Sequence, residues 1–340
     1  MVITMKEVAE RAGVSKSTVS QFLNKRYNYM SVDTKRKIEQ AIEELNYIPN
    51  EVARSLKHKK TFIVGVISST ILSKFTTEVV RAIEDECQLK DIQVIICNTD
   101  DDSLKEKKYV QSMVARQVDG LIIFPTEENK KLYASLVQNG YPFVFVDRKI
   151  DEISVDTVLL NNEKASELAV ETFVEHGHKS IGIITFPLGK KAITTRSERL
   201  SGYRKTLKKL GIPVNEDYIK SGRLDQMPHL IEELFCMGNQ PTAIIATNDM
   251  ILEQVLMYAK NNHLTVPHDF SLIGIDDVSF ATFYNPPIST ISQPSFNMGK
   301  KCAQLLLEKI DQKEQGNGGA SEIIRLDPTI NHRDSVKKLN

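Results

Sequence analysis

Seven short apolar runs, spaced by helical stretches, constrain this chain more than any other feature. They are FIVGVI (62–67), QVIIC (93–97), GLIIF (120–124), PFVFV (142–146), SIGIIT (180–185), TAIIAT (242–247) and FSLIGI (270–275). Runs of this length without polar alternation read as strands buried on both faces, the signature of parallel sheets. Amphipathic stretches at 76–88, 104–117, 164–176 and 199–210 lie between them. The alternation predicts an α/β fold with doubly wound parallel sheets. The number of strands predicts two similar lobes, the first at 61–160 and the second at 161–290, with 291–330 returning to the first. Ligands of such sheets bind outside the carboxyl ends of the strands, which in a two-lobed core is the cleft. The run EQGNGGAS (314–321) reads as a loop.

The first 60 residues follow a different, all-helical pattern. VAERAGVSKSTVSQFLN (8–24) sets two short helical patterns around the turn Gly13-Val14-Ser15, the spacing of a DNA-reading helix-turn-helix. Thr4 with Glu7 suits a capping box for the first helix, Ser15 a cap for the second and Ser31 a cap for a third. Val8, Ala9 and Ala12 form the stripe of the first helix, and Val14, Thr18, Val19 and Leu23 the inward side of the second. Lys16, Ser17, Ser20 and Gln21 are left facing outward, and Ile38, Ala41, Ile42 and Leu45 line the third helix. Pro49 opens a short helix at 50–57, and Lys57-His58-Lys59-Lys60 reads as a linker. The head therefore spans 1–47, the hinge and linker 48–60, and the core 61–330.

Charge separates these parts. Residues 1–60 carry 12 Lys or Arg against 7 Asp or Glu, and the other 280 residues carry 32 against 37. A basic head on a slightly acidic body suits phosphate binding, although a solvated basic surface has the same composition. No apolar run reaches the ~18 residues of a membrane span, and no secretory leader opens the chain, so a cytoplasmic location is expected. Cys87, Cys97, Cys236 and Cys302 have no metal spacing and read as reduced thiols. His176 and His178 lack a third ligand at useful spacing and read as helix-end and turn residues, so no metal is expected. An enzyme is disfavoured because GxSxG, GxxxxGK[ST] and a strand followed by GxGxxG are all missing, and no cofactor is expected. A stand-alone solute-binding protein would have a similar core but a leader and no head.

The ordered set of motifs resembles the LacI/GalR family of bacterial transcription regulators over nearly the whole length. Beside the helix-turn-helix, the resemblance is carried by ELNYIPNEVARSL, VGVISSTILSKFTTEVVRAIE, VDGLIIFPT, PFVFVDR, HGHKSIGIIT, SERLSGYRKTL, PTAIIATNDM, SLIGIDD and PPISTISQPSFNMG. It implies a periplasmic-binding-protein-like core that binds a small effector and dimerises. It further implies a homodimer or a dimer of dimers, an approximately palindromic double-stranded DNA operator, and repression modulated by a small effector; a sugar or sugar derivative is expected, a sugar acid, a nucleoside or a partner protein's surface are the alternatives, and release and tightening of DNA are both open. Two departures put inherited operator rules in doubt: Gln21 stands where the family often has Arg, and the loop NKRYNYMS is longer than usual.

Candidate DNA contacts follow. Lys16, Ser17 and Gln21 open the recognition helix, where Lys suits guanine and Gln suits adenine; contact with phosphate or water alone is the alternative. Thr4, Ser15, Thr18, Asn24 and Tyr47 suit phosphate contacts, with capping compatible for Thr4 and Ser15 and burial equally open for Thr18. Asn50, Ala53 and Leu56 share one face of the hinge helix, Ala53 allowing close approach and Leu56 wedging between base steps; an exposed linker leucine is the alternative. For the effector, the resemblance points to Phe75, Asp147, Arg199, Asn248, Asp276 and Gln293. Asp276 accepts from hydroxyls, Arg199 and Asn248 donate, and Phe75 stacks on an apolar face. Turn chemistry at a strand end is the alternative for Asp276 and Asn248. Arg196, Lys190 and Lys191 suit an acidic sugar or merely a solvated loop.

Overall fold

The computed structural model describes residues 3–28, 30–48, 60–188, 193–315 and 321–339. The hinge positions Asn50, Ala53 and Leu56, and the loop residues Lys190 and Lys191, lie outside the described residues. The chain forms two units, Met1–Thr61 and Phe62–Asn340.

The first unit packs helices α1 (Met5–Ala12), α2 (Lys16–Leu23) and α3 (Val32–Leu45). Thr4 begins α1 with its backbone N–H on the Glu7 carboxylate at 2.7 Å. Gly13 ends it at φ 64°, a left-handed turn that a β-carbon would strain. Ser15 and Ser31 cap α2 and α3, each accepting a backbone N–H three residues on at 3.1 Å. Val8, Ala9, Ala12, Val19, Ile38, Ala41 and Tyr47 form one buried cluster, and Arg11 reaches from α1 to Glu44 of α3 at 2.6 Å.

The second unit carries two six-stranded sheets. The first begins β1 (Ile63–Ser68), α4 (Lys74–Gln88), β2 (Gln93–Asn98), α5 (Ser103–Ala115), β3 (Gly120–Ile123), α6 (Lys130–Gln138), β4 (Phe143–Val146) and β5 (Thr157–Leu160). The chain then crosses through α7 (Asn162–Glu175), β6 (Ile181–Thr185), α8 (Thr194–Lys209) and β7 (Ile219–Ser221). It continues with α9 (Met227–Phe235), β8 (Ala243–Ala246), α10 (Asp249–Asn261), β9 (Ser271–Ile275), α11 (Ser279–Phe283) and β10 (Ser289–Ser292). Last come α12 (Ser295–Gln315), β11 (Ile323–Leu326) and β12 (Thr329–Asn331).

The strand orders are β11-β5-β4-β3-β1-β2 and β12-β10-β9-β8-β6-β7, and only β12 runs antiparallel to its neighbour. Each lobe thus repeats one winding, with β1, β3 and β4 corresponding to β6, β8 and β9. The full burial of β3, β4, β8 and β9 explains their unbroken apolar sequences. The lobe boundaries differ from the sequence expectation at the C-terminal end. Residues 289–292 remain in the second sheet, and β12 returns to it by pairing with β10, so the first lobe regains only α12 and β11.

Candidate functional site

Lys16, Ser17 and Gln21 are exposed on α2, while Val19 on its other side is fully buried, so packing against α1 and α3 fixes which face of α2 is free. Ser20, expected outside, is half-buried, and its carbonyl accepts the Asn24 side-chain amide at 2.6 Å. Asn24 is thereby tied to the end of α2. The Thr18 hydroxyl is held by Ser15 at 2.8 Å and the residue is half-buried. Tyr47 is buried in the core of the head, where desolvation raises its hydroxyl pKa. Tyr47 is thus tied into the core, and Thr4, Ser15, Thr18 and Asn24 make capping or turn bonds, which for Thr4 and Ser15 are compatible with a phosphate contact; on the free face of α2, Lys16 and Gln21 are exposed, and the exposed Ser17 shares a hydroxyl hydrogen bond with Ser15 at 2.7 Å.

In the second unit, Phe75, Asp147, Arg199, Asn248, Asp276 and Gln293 all line one cavity of about 490 Å³ between the lobes. The fold brings them together because Asp147, Asn248, Asp276 and Gln293 follow strands, Phe75 begins α4, and Arg199 lies in the second turn of α8, all at the carboxyl edge of a sheet. Asp147 and Asp276 follow the corresponding strands β4 and β9, both in left-handed backbone at φ 67° and 91°. Aspartate tolerates that conformation better than most residues. Asn248 caps α10 through its side-chain oxygen, 3.0 Å from the Ile251 N–H, which leaves its amide N–H groups for the cavity. The turn role and a ligand role are therefore compatible at this residue. Phe75 is 8 % exposed and lies edge-on to Phe124, with ring centroids 6.5 Å apart, so one part of it belongs to the lobe core.

Electrostatics sharpen the picture. The Arg199 Nε donates to Asn162 Oδ1 at 2.9 Å, and its Nη1 donates to the Thr247 carbonyl. Its charge thus meets neutral partners directly and faces Asp147 and Asp276 through space. Burial pushes the Asp276 carboxyl up to about 7; the Arg199 charge and the amide of Gln293 oppose that shift, and Asp249 adds to it. Desolvation also raises Asp147, against the pull of Arg148 and Arg199. Burial and the neighbouring Arg148 bring Arg196 down to about 10.

The sequence reading missed part of this wall. Asp101 accepts Arg148 Nη1 at 2.7 Å and Arg196 Nη2 at 3.3 Å, and Arg196 lies over the Phe186 ring at 5.5 Å from its centroid. Thr185, Phe186 and Arg223 also line the cavity. Thr185 ends the run SIGIIT and Phe186 follows it, so the carboxyl-edge rule that selected Asp276 would have selected them too. Arg223 follows β7, a three-residue strand too short to leave a pattern. Among the described residues there is no group of three or more His, Cys, Asp or Glu side chains fit to hold a metal. His176 ends α7 with Nδ1 2.7 Å from the Thr172 carbonyl, and His178 is fully buried between Thr242, Ser271 and Lys337. Cys87, Cys97 and Cys302 are buried free thiols and Cys236 an exposed one. No described helix is long and apolar enough to cross a membrane.

Known proteins agree with this division. Residues 4–50 match the bacterial regulatory proteins of the lacI family, and residues 170–336 match the periplasmic binding protein-like domain. The chain is 83 % identical to a probable HTH-type transcriptional regulator EndR of Paenibacillus polymyxa, over the full length of both. It is 32 % identical to the HTH-type transcriptional repressor PurR of Aliivibrio salmonicida, over 99 % of each chain. Among solved structures, the lac repressor dimer bound to operator and the anti-inducer ONPF superposes with a TM-score of 0.83 at 27 % identity, covering 99 % of this chain and 100 % of that one. These relatives are named as regulators, not enzymes. The chain belongs to the LacI family and is a DNA-binding transcriptional regulator with an effector-binding domain.

Proposed function

We propose that this regulator is a repressor that binds an approximately palindromic operator as a homodimer and responds to a sugar or sugar derivative held between its lobes. The observation that carries the effector reading is the single cavity lined by all six expected residues. Its wall holds Arg148, Arg196, Arg199 and Arg223 against five aspartates, so its charges nearly cancel and a neutral polar ligand is favoured over a sugar acid. Carboxylates, guanidinium groups and an aromatic face are what hydroxyls, ring oxygens and the apolar face of a sugar require. The repressor reading is supported by the names of the PurR relative and the lac repressor neighbour. The dimer reading is supported by exposed apolar side chains on the first lobe, Leu89, Ile95, Ile96 and Leu104, and on the second, Met257 and Phe283. At the head, Lys16, Ser17 and Gln21 read base edges.

The test is selection of binding sites from random duplexes, followed by titration of the selected site with and without candidate sugars. The reading expects a two-fold-related site, two chains per duplex, an affinity that falls steeply with salt as counterions are released, and a sugar that lowers it. Equal affinity for random DNA would count against the operator reading, and indifference to every sugar against the effector reading.

A further inference from the structure

Arg196 reaches across from the second lobe to the first. On its own lobe its Nη1 donates to the Pro187 carbonyl at 2.8 Å, and its guanidinium lies over the Phe186 ring. Its Nη2 donates to Asp101 Oδ2 of the opposite lobe at 3.3 Å. Asp101 already accepts Arg148 from its own lobe, at 2.7 Å and 3.4 Å. When the lobes part, Asp101 keeps Arg148 and Arg196 keeps the Pro187 carbonyl, so neither charge is left alone. A contact whose two halves stay satisfied after it breaks opens at little cost. Asp100 and Asp101 both hold left-handed backbone, at φ 56° and 58°. Strain of this kind persists where the surroundings enforce it. Here the Ser69 carbonyl accepts the Asp101 N–H at 3.0 Å, and Asp102 caps α5.

Topology puts this contact at the mouth of the cleft. The chain passes between the lobes from β5 to α7, from β10 to α12 and from β11 to β12. β5 and β11 lie together at one edge of the first sheet, and β10 and β12 at one edge of the second. Asp101 follows β2, the opposite edge of the first sheet, and Phe186 and Pro187 follow β6, which has only β7 outside it. The contact is thus three to four strand spacings from the crossings, or about 14–19 Å. A rotation of about 10° at the crossings parts the edges by about 2–3 Å at that radius, enough to break a 3.3 Å hydrogen bond. A second ion pair across the cleft, Arg325 with Glu198, meets at β11, where the same rotation moves least.

We infer that Arg196 and Asp101 form a bolt across the mouth of the cleft, which holds the ligand-free lobes together at that edge and opens to admit an effector. Arg148 is the resting partner of Asp101 that makes the bolt reversible. The bolt biases the lobes and does not fix them. Its purpose rests on the reading of the cleft as an effector site; the bolt itself is a property of the ligand-free protein.

The experiment measures distances in the ligand-free full chain by double electron–electron resonance. Spin labels go on Lys131→Cys of α6 and Lys208→Cys of α8, exposed positions on opposite lobes, in a Cys236→Ser background. Labelled chains are diluted into unlabelled ones, so only distances within a chain are read. The proteins are the labelled wild type, Arg196→Met, and Arg325→Met as the control at the crossings. The expected result at about 0.05 M salt is a longer-distance population that grows about two- to fivefold in Arg196→Met, the weight of one partly exposed ion pair. Raising salt to about 0.5 M moves wild type the same way and leaves Arg196→Met where it was. Arg325→Met keeps the wild-type distribution. Matching distributions for wild type and Arg196→Met, or an equal shift in Arg325→Met, would overturn the inference. The salt response needs no substitution in the bolt, so a misfolded Arg196→Met leaves it decisive: a wild-type distribution indifferent to salt would overturn the inference as well. Any of these failures leaves the effector reading standing, and failure of every sugar to bind leaves the bolt standing.

Discussion

Replacing Asp276 by asparagine should stabilise the ligand-free protein by about 3 kcal/mol more at pH 8 than at pH 5. The carboxyl is 6 % exposed, accepts from the Gln293 amide and faces Arg199, yet burial still pushes it up to about 7 from an ordinary value of 3.8. Between those two values the folded state holds a proton that the unfolded state has released. Stability therefore falls as pH rises through that window, the opposite of an aspartate in a good ion pair. Each pH unit inside the window corresponds to about 1.4 kcal/mol, so the wild type should lose about 3 kcal/mol relative to Asp276→Asn between pH 5 and pH 8. Asparagine keeps the oxygen that accepts from Gln293 and removes the buried charge. Denaturant titrations of both proteins at pH 5, 6, 7 and 8 measure the difference. Parallel curves would refute the argument that an uncompensated carboxylate is held in the cleft. The same charge, once ionised, accepts hydroxyl donors strongly. Sugar affinity should accordingly rise from pH 6 to pH 8 in wild type and stay flat in Asp276→Asn.

Three further outcomes follow from other parts of the chain. Gln21→Ala should cost about 1–3 kcal/mol at one base-pair position and relax the preference there; site selection with both proteins checks this, and identical preferences would remove Gln21 from the readers. Gly202→Ala should destabilise the core by about 1–3 kcal/mol, because its β-carbon would lie 2.4 Å from the Glu163 carbonyl oxygen, backbone that cannot step aside. An unchanged thermal midpoint would contradict that packing of α8 on α7. Burial lowers the pKa of His178 below its ordinary 6.5, so its contribution is present above that value and is lost as pH falls through it. Native-state NMR should show the ring titrating at a lower pH than an exposed imidazole, and a normal titration would show that the buried site is wrong.

The legible parts of the fold were those whose burial leaves a continuous pattern. SLIGI, PFVFV and TAIIAT are sealed on both faces, so every side chain reports the same environment. The strands β7, β10 and β12 are three or four residues long, and three of the four residues of Ser289-Thr290-Ile291-Ser292 carry hydroxyls. Their pairing is decided by neighbours remote in sequence, such as β12 on β10, and no local signal encodes that. The cleft residues obeyed the same division. Asp276, Asn248 and Asp147 end readable strands. Asp101 became part of the wall only because Arg148 and Arg196 converge on it from residues 47 and 95 positions away. Tyr47, expected at phosphate, was claimed by a small helical head that needed its ring for a core.

The cleft is also where an effector could exert leverage. Polar contacts cross it from lobe to lobe: Arg196 to Asp101 at 3.3 Å, Lys74 Nζ to the Asp277 carbonyl at 2.6 Å, the Lys149 N–H to the Thr194 hydroxyl at 3.1 Å, and Arg325 to Glu198 at 2.7 Å. The two ion pairs among them, Arg196–Asp101 and Arg325–Glu198, are partly exposed and contribute about 0–1 kcal/mol each, so they do not lock the lobes into one arrangement. A ligand shifts such an equilibrium only by the difference between its affinities for the two arrangements. Bonds from one ligand to Asp147 on the first lobe and to Asp276 and Arg199 on the second exist together only in the arrangement that brings both walls within reach. Each charge-assisted bond is worth about 1.5–3 kcal/mol, and allosteric coupling typically amounts to about 1–3 kcal/mol. One bond made to the second wall is therefore enough to account for a regulatory response. A substitution on either wall that spares the other should abolish the response while retaining weakened binding, which is why Asp147→Ala and Arg199→Ala, measured for sugar affinity and operator release separately, distinguish a closing cleft from a passive pocket.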